Sequence, residues 1–143
     1  MKPDRELIEF LRRVSMFGGL SDKSLAGIAS EMNAYTFTAD DVVFEQDDSG
    51  RFGRLYVIME GTAVATVGDV ELAQYGPGDY FGEMSVLDGS PRSATVRATS
   101  AVKAMGLTSW SMRSLIKEHP EIAQHVIEVL VARLRATDAR FND

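Results

Sequence analysis

The residues best suited to chemistry lie close together in one run: Phe81-Gly82-Glu83-Met84-Ser85-Val86-Leu87-Asp88-Gly89-Ser90-Pro91-Arg92-Ser93-Ala94-Thr95-Val96-Arg97-Ala98. Gly82 precedes a stretch able to form one helical turn. Such a turn exposes backbone N–H groups with no partner inside the helix, and these favour an anion. Glycine lets a ligand approach the backbone closely. Arg92 arrives before a strand and can clamp a phosphate through two parallel hydrogen bonds. Glu83 is wrong for a bare anion. A carboxylate accepts hydrogen bonds, so it suits a hydroxyl beside the phosphate, and the set describes a sugar phosphate better than inorganic phosphate. Spacing alone leaves a plainer alternative open: a turn, a surface glutamate and a solvated arginine.

Other chemistries have little to stand on. There is no cysteine among the 143 residues, which removes disulfides, zinc fingers, iron–sulfur centres and thiol nucleophiles. A metal centre needs clustered histidine and carboxylate ligands. Only His119 and His125 are present, six residues apart on what reads as helix, and they do not share a helix face. No metal site and no catalytic residue is expected, and both histidines read as surface or packing residues. Gly76, Gly78 and Gly82 miss dinucleotide spacing by one position, and neither a Walker A lysine motif nor a G-x-S-x-G elbow is found. Met59, Met84, Met105 and Met112 are scattered and read as core fillers.

The balance of 15 Lys+Arg against 21 Asp+Glu gives a formal charge of −6, a poor basis for gripping a nucleic-acid backbone. The longest strictly apolar run, 55–59, falls far short of the roughly 20 residues of a membrane span. The opening Met1-Lys2-Pro3-Asp4 lacks a signal-peptide core. The expectation is a soluble, cytoplasmic domain with no direct nucleic-acid or membrane partner.

Three zones position the run. Over 1–33, Leu7, Ile8, Phe10, Leu11 and Val14 recur near helical spacing. After a break at Phe17-Gly18-Gly19, Ser21 or Asp22 is predicted to cap a second helix through Leu25, Ile28, Ala29 and Met32. Over 34–108, short β-branched and aromatic segments at 35–38, 41–44, 54–59, 62–67, 70–75, 94–99 and 102–108 read as strands. Gly68-Asp69 reads as a two-residue hairpin loop, and Gly76-Pro77-Gly78-Asp79 as another turn. The fold class is mainly β, an antiparallel barrel or sandwich. Over 109–143, Ser109 or Ser111 is predicted to cap a helix ending before Pro120, which opens a last helix to about 141. That helix carries a seam of Ala123, Ile127, Leu130, Leu134, Thr137 and Phe141 beside a stripe of Ile122, Val126 and Val129. The seam packs on its own domain or meets a partner subunit.

The run 81–98 closely resembles the phosphate-binding cassette of cyclic-nucleotide-binding domains. That pattern is an apolar residue, Gly-Glu, a small residue two places on, then Arg, Ser/Thr/Ala, Ala, any residue and an apolar residue. Phe81-Gly82-Glu83, Ser85, Arg92-Ser93-Ala94 and Val96 fill every slot. The stretch from Leu55 through Gly61 to Val64 is similar to the family's strand–Gly–strand element, and Gly78-Asp79-Tyr80 to its approach to the cassette. The resemblance spans nearly the whole chain. It implies a jelly-roll-like β-roll of antiparallel strands with N-terminal and C-terminal helices, forming one domain over 1–143. It implies that Glu83 binds the ribose 2′-hydroxyl and Arg92 the cyclic phosphate. Gly82, Met84, Ser85, Ser93 and Ala94 then add backbone and hydroxyl contacts. Arg133-Leu134-Arg135-Ala136-Thr137 resembles the helix of catabolite activator proteins, making Thr137 a candidate contact to the base; Asp138 departs from the Ser found there. Asp47 stands where the family often has glycine, and Asp tolerates left-handed backbone better than most residues.

The implied function is a regulatory sensor that binds a 3′,5′-cyclic purine nucleotide, cAMP before cGMP, with no cofactor and no reaction of its own. The chain shows no effector, so it acts on a separate protein or is part of a longer one, and the seam offers a homodimer contact. The alternative is a degenerate roll that serves as a protein-interaction module without nucleotide.

Overall fold

A computed structural model describes residues 5–49 and 53–142, with the side chains of the last three of these left aside. The chain divides into two compact units, Glu31–Arg113 and a second formed by the segments up to Ser30 and from Ser114.

The first unit is an antiparallel roll. Its strands are β1 (Asn33–Phe37), β2 (Val42–Phe44), β3 (Arg54–Glu60), β4 (Ala63–Val67), β5 (Val70–Tyr75), β6 (Tyr80–Phe81), β7 (Thr95–Ala98) and β8 (Val102–Thr108). They form two four-stranded sheets, β1-β8-β3-β6 and β2-β7-β4-β5. Every pairing is antiparallel, as expected. Tyr56, Ile58, Phe81, Val102 and Ala104 from one sheet share a core with Ala63, Ala65, Val96 and Ala98 from the other. Burying these faces drives the assembly, at about 25 cal/mol per Å² of apolar surface. β3 is buried on both faces from Leu55 to Ile58, which is why it reads as one continuous apolar run instead of an alternation.

The turns form as their residues dictate. Gly68 (φ 56°) and Asp69 join Val67 to Val70 in a tight hairpin. In Gly76-Pro77-Gly78-Asp79, the Asp79 N–H donates to Gly76 O at 3.0 Å and Asp79 Oδ2 accepts from Gly76 N–H at 2.8 Å. Proline supplies the fixed φ and Gly78 (φ 90°) the left-handed corner. Within this unit lies one short helix, α3 (Glu83–Asp88), over the stretch after Gly82 expected to form a helical turn; β6, which precedes it, is not among the predicted strands.

The second unit carries α1 (Arg5–Arg12), most of α2 (Asp22–Glu31), the end of α4 (Ser109–Glu118) and α5 (Pro120–Asn142). Leu7, Leu11, Val14, Met16, Phe17, Leu25 and Ile28 are all buried. Ser21 is the cap of α2, its hydroxyl accepting from Ser24 N–H at 3.2 Å. The cap of α4 is a correction: Thr108, the last residue of β8, accepts from Ser111 N–H at 3.1 Å, so neither Ser109 nor Ser111 does the capping. Along α5, Ile122 and Val126 are buried, whereas Ile127, Val131 and Leu134 are 55%, 42% and 61% exposed. Within the seam Ala123 and Leu130 are half-buried and Ile127, Leu134 and Thr137 exposed, so the seam is only partly covered, whereas Ile122 and Val126 of the neighbouring stripe are buried. The side chain of Phe141 lies outside the described residues. His125 packs beside Gly19 with Nε2 3.3 Å from Ser15 O, and His119 beside Gly27.

Ser21 and the buried Ser24 both donate to Oε1 of Glu121 in the first turn of α5. These hydrogen bonds hold the Glu121 carboxyl below its ordinary value. A lowered carboxylate pKa stabilises the fold above the unfolded value, and that contribution is lost as pH falls through the folded value. Thermal melts should show the parent more stable than Glu121→Gln above the ordinary glutamate range, with the two curves converging in stronger acid. Parallel curves across that range would contradict the assignment.

Candidate functional site

β6 is only two residues long, but its pairing of Phe81 with Tyr56 carries the chain directly over the start of β3. Phe81 is fixed there by ring contacts to Tyr75 at 5.1 Å, Tyr56 at 5.6 Å and Phe44 at 5.9 Å. Gly82 follows in left-handed backbone (φ 86°, ψ 3°) and is the N-cap of α3. A Cβ at this position would stand 2.8 Å from Arg54 O and 2.8 Å from Arg92 Nη1. Glycine is required here on both counts, conformation and space.

The first turn of α3 buries Glu83 and Ser85, at 6% and 4% exposure, and turns Met84 out to 55%. Met84 is thus not a core filler, unlike Met112, which is buried. The N–H groups of that turn have no carbonyl to pair with inside the helix. α3 stops at Gly89 (φ 74°), whose N–H returns to Ser85 O at 2.8 Å. Beyond it, Asp88 Oδ1 accepts from the Ser90 hydroxyl at 2.6 Å and the Ser90 N–H at 2.9 Å. These bonds hold the Asp88 carboxyl below its ordinary value and fix the approach to Arg92.

Arg92 is 5% exposed. Its backbone is tied on both sides to the β2–β3 loop: Asp47 N–H donates to Arg92 O at 2.8 Å, and Arg92 N–H to Asp48 O at 2.8 Å. Asp47 takes φ 72°, the left-handed backbone expected where the family often has glycine. The guanidinium lies 4.0 Å over the Phe44 ring, donating from Nη1 to Gly82 O at 3.0 Å and from Nη2 to Arg54 O at 2.8 Å. Burial pulls its pKa down, against the attraction of Tyr56, Asp48 and Glu83. The partners of its Nη groups are carbonyls, which orient the charge without cancelling it. A buried, oriented cation of this kind can take an anion through charge-assisted hydrogen bonds, and Glu83 in the adjoining turn supplies a carboxylate for a hydroxyl.

Gly82, Glu83, Met84, Ser85, Arg92, Ser93 and Ala94 thus fall in one unit, on one strand–turn–helix–strand path. Ser93 is exposed and Ala94 buried. Thr137 belongs to the other unit, exposed on α5, its hydroxyl donating to Arg133 O at 3.1 Å. Sequence reasoning missed Phe44, Arg54 and the stitch to Asp47 and Asp48. None carries a local signal, because each meets Arg92 only where the fold brings distant segments together. A separate cleft of about 450 Å³ is lined by residues including Thr62, Glu71, Gln74, Tyr75 and Thr99, and contains none of these groups. Among the described residues, no three His, Cys, Asp or Glu side chains gather as a metal site, and no helix is long and apolar enough to cross a membrane.

The family model described as the cyclic nucleotide-binding domain matches residues 35–119. Over 140 residues the chain is 31% identical to a CRP-like cAMP-activated global transcriptional regulator of Mycobacterium tuberculosis, covering 94% of this chain and 62% of that protein. The crystal structure of the N-terminal domain of a transcriptional regulator from Streptomyces coelicolor superimposes with a TM-score of 0.78 at 31% identity, covering 92% of this chain and 94% of that one. The catabolite activator protein of Thermus thermophilus gives 0.78 at 29% identity, covering 90% and 62%. The chain therefore spans a little under two thirds of the curated relative's length.

Proposed function

The chain belongs to the cyclic nucleotide-binding domain family, and from that premise we propose that it is a regulatory sensor for a 3′,5′-cyclic purine nucleotide, cAMP in preference to cGMP, with no reaction of its own. The observation that carries the reading is Arg92: a buried guanidinium, aimed by two carbonyls and a ring, beside a buried glutamate in a helical first turn. In this reading the cyclic phosphate takes Arg92, the amides of the 82–85 turn and the Ser93 hydroxyl. The ribose 2′-hydroxyl donates to Glu83, while Met84 and Ala94 border the sugar phosphate. Thr137 meets the adenine from α5 and tips the preference towards cAMP; the name of the Mycobacterium tuberculosis relative, cAMP-activated, supports the same choice.

The reading takes 1–143 as one cytoplasmic domain whose output passes to a separate effector or to a further segment of a longer protein. The seam through Ile127, Leu130 and Leu134, with Ile127 and Leu134 exposed, is then the surface on which two copies pair. Nucleotide held by the cassette presents its base outward, and a helix that touches the base in one position only is the differential contact a ligand needs to shift a population. Hydrogen exchange along 121–141 should slow when cAMP saturates the protein; identical rates with and without nucleotide would refute the switch. Competition between the two nucleotides tests the preference, and a tenfold or greater advantage for cGMP would reverse it.

A further inference from the structure

Arg54 opens β3 on the face that carries Tyr56: its guanidinium sits 5.0 Å over the Tyr35 ring, and Tyr35 in turn packs edge-on against Tyr56 at 5.6 Å. Arg54 O holds Arg92 Nη2 at 2.8 Å. Its Nε–H is buried and has no hydrogen-bond partner among the described residues. Leaving a charged donor buried and unpaired is costly, so such an atom marks a place where a partner belongs. A ring face holds a guanidinium but does not satisfy its N–H. The Arg54 charge also reaches Arg92 and adds to the lowering of its pKa. Two guanidiniums, each laid on an aromatic ring, therefore share one stretch of the roll without a carboxylate bonded to either in the contacts described. An anion placed there relieves both.

We propose that Arg54 is a second anion-binding arginine of the cassette, its guanidinium completing, with Arg92, the receptor for a phosphodiester oxygen. The inference rests on the cyclic-nucleotide reading above. The side chain does this work, whereas its carbonyl serves Arg92 whatever residue stands at 54.

Calorimetric titration of the parent, Arg54→Gln and Arg54→Lys with cAMP at low and high salt tests it. Arg54→Gln should bind about tenfold more weakly or worse at low salt, the size of a lost hydrogen bond to a charged group. The gap should narrow at high salt, because screening removes the charge component. Lysine keeps the charge and loses Nε, so Arg54→Lys should fall between the two. A purely structural role would weaken binding equally at both salts, and that result overturns the proposal. So does a folded Arg54→Gln that matches the parent. If Arg54→Gln does not fold, Arg54→Lys decides: weaker binding supports the proposal and parental affinity overturns it. A parent that fails to bind cAMP overturns the cyclic-nucleotide reading and this inference together; a parent that binds while Arg54 variants are indifferent overturns this inference alone.

Discussion

Replacing Arg92 with alanine is expected to cost about 2–5 kcal/mol of cAMP affinity, the cost of truncating one partner of a buried, hydrogen-bonded charge pair. Only part of that is the lost attraction to phosphate. The Nη groups at 3.0 Å from Gly82 O and 2.8 Å from Arg54 O also fix where the positive charge stands. Arg92→Lys keeps a charge but cannot span both carbonyls in one plane, so it should recover only a fraction of the loss. Glu83→Gln is the milder change: a hydrogen bond to a charged acceptor is worth about 1.5–3 kcal/mol. Calorimetry on the three variants should rank them Arg92→Ala weakest, with Glu83→Gln retaining more affinity. Parental binding by Arg92→Ala would mean that the anion site lies elsewhere.

Substitution of Gly82 by alanine is expected to damage both the fold and the site. A left-handed non-glycine residue costs about 1–3 kcal/mol from the backbone alone. Here the new Cβ would also stand 2.8 Å from Arg54 O and from Arg92 Nη1. The carbonyl is backbone of Arg54 at the start of β3, held in register against Thr108 of β8, and it yields less readily than a side chain. The arginine gives way instead, and with it the aim of its charge. Gly78→Ala provides the control. Gly78 has φ 90°, close to that of Gly82, yet nothing stands within 4 Å of its Cβ position. It should show the backbone penalty in a thermal melt and bind cAMP normally, whereas Gly82→Ala should show a larger drop in Tm and weakened binding. Equal nucleotide affinity in the two variants would contradict the close-packing account.

Where a feature depends on neighbours in the chain, it was legible. β5 and β8 begin and end where β-branched or aromatic residues and turn residues place them, the Gly68-Asp69 hairpin closes as a two-residue loop, and Pro120 opens α5. From Gly82 to Arg92 the residue order left two readings open, a sugar-phosphate site or a turn with a surface glutamate and a solvated arginine, and the burial of Glu83 and Arg92 removes the second. β6 was illegible as a strand because two residues carry no period. Thr108 was missed as a cap because it ends a strand and starts a helix at once, with its hydroxyl serving Ser111 N–H. The exposure of Met84 follows from the short helix that alternates Glu83 and Ser85 inward. Phe44 and Arg54 reach Arg92 from β2 and β3, a proximity set by the fold and not by spacing in the chain.

The buried arginine and glutamate are assigned here to receive a cyclic nucleotide. Calorimetric titration of the purified chain with cAMP, followed by a thermal melt at saturation, tests it most directly. A saturable heat and a raised Tm are expected, both abolished or strongly weakened in Arg92→Ala. No heat and no shift in Tm with cAMP or cGMP at millimolar concentration would contradict it, and would leave the roll to be read as a surface for protein partners.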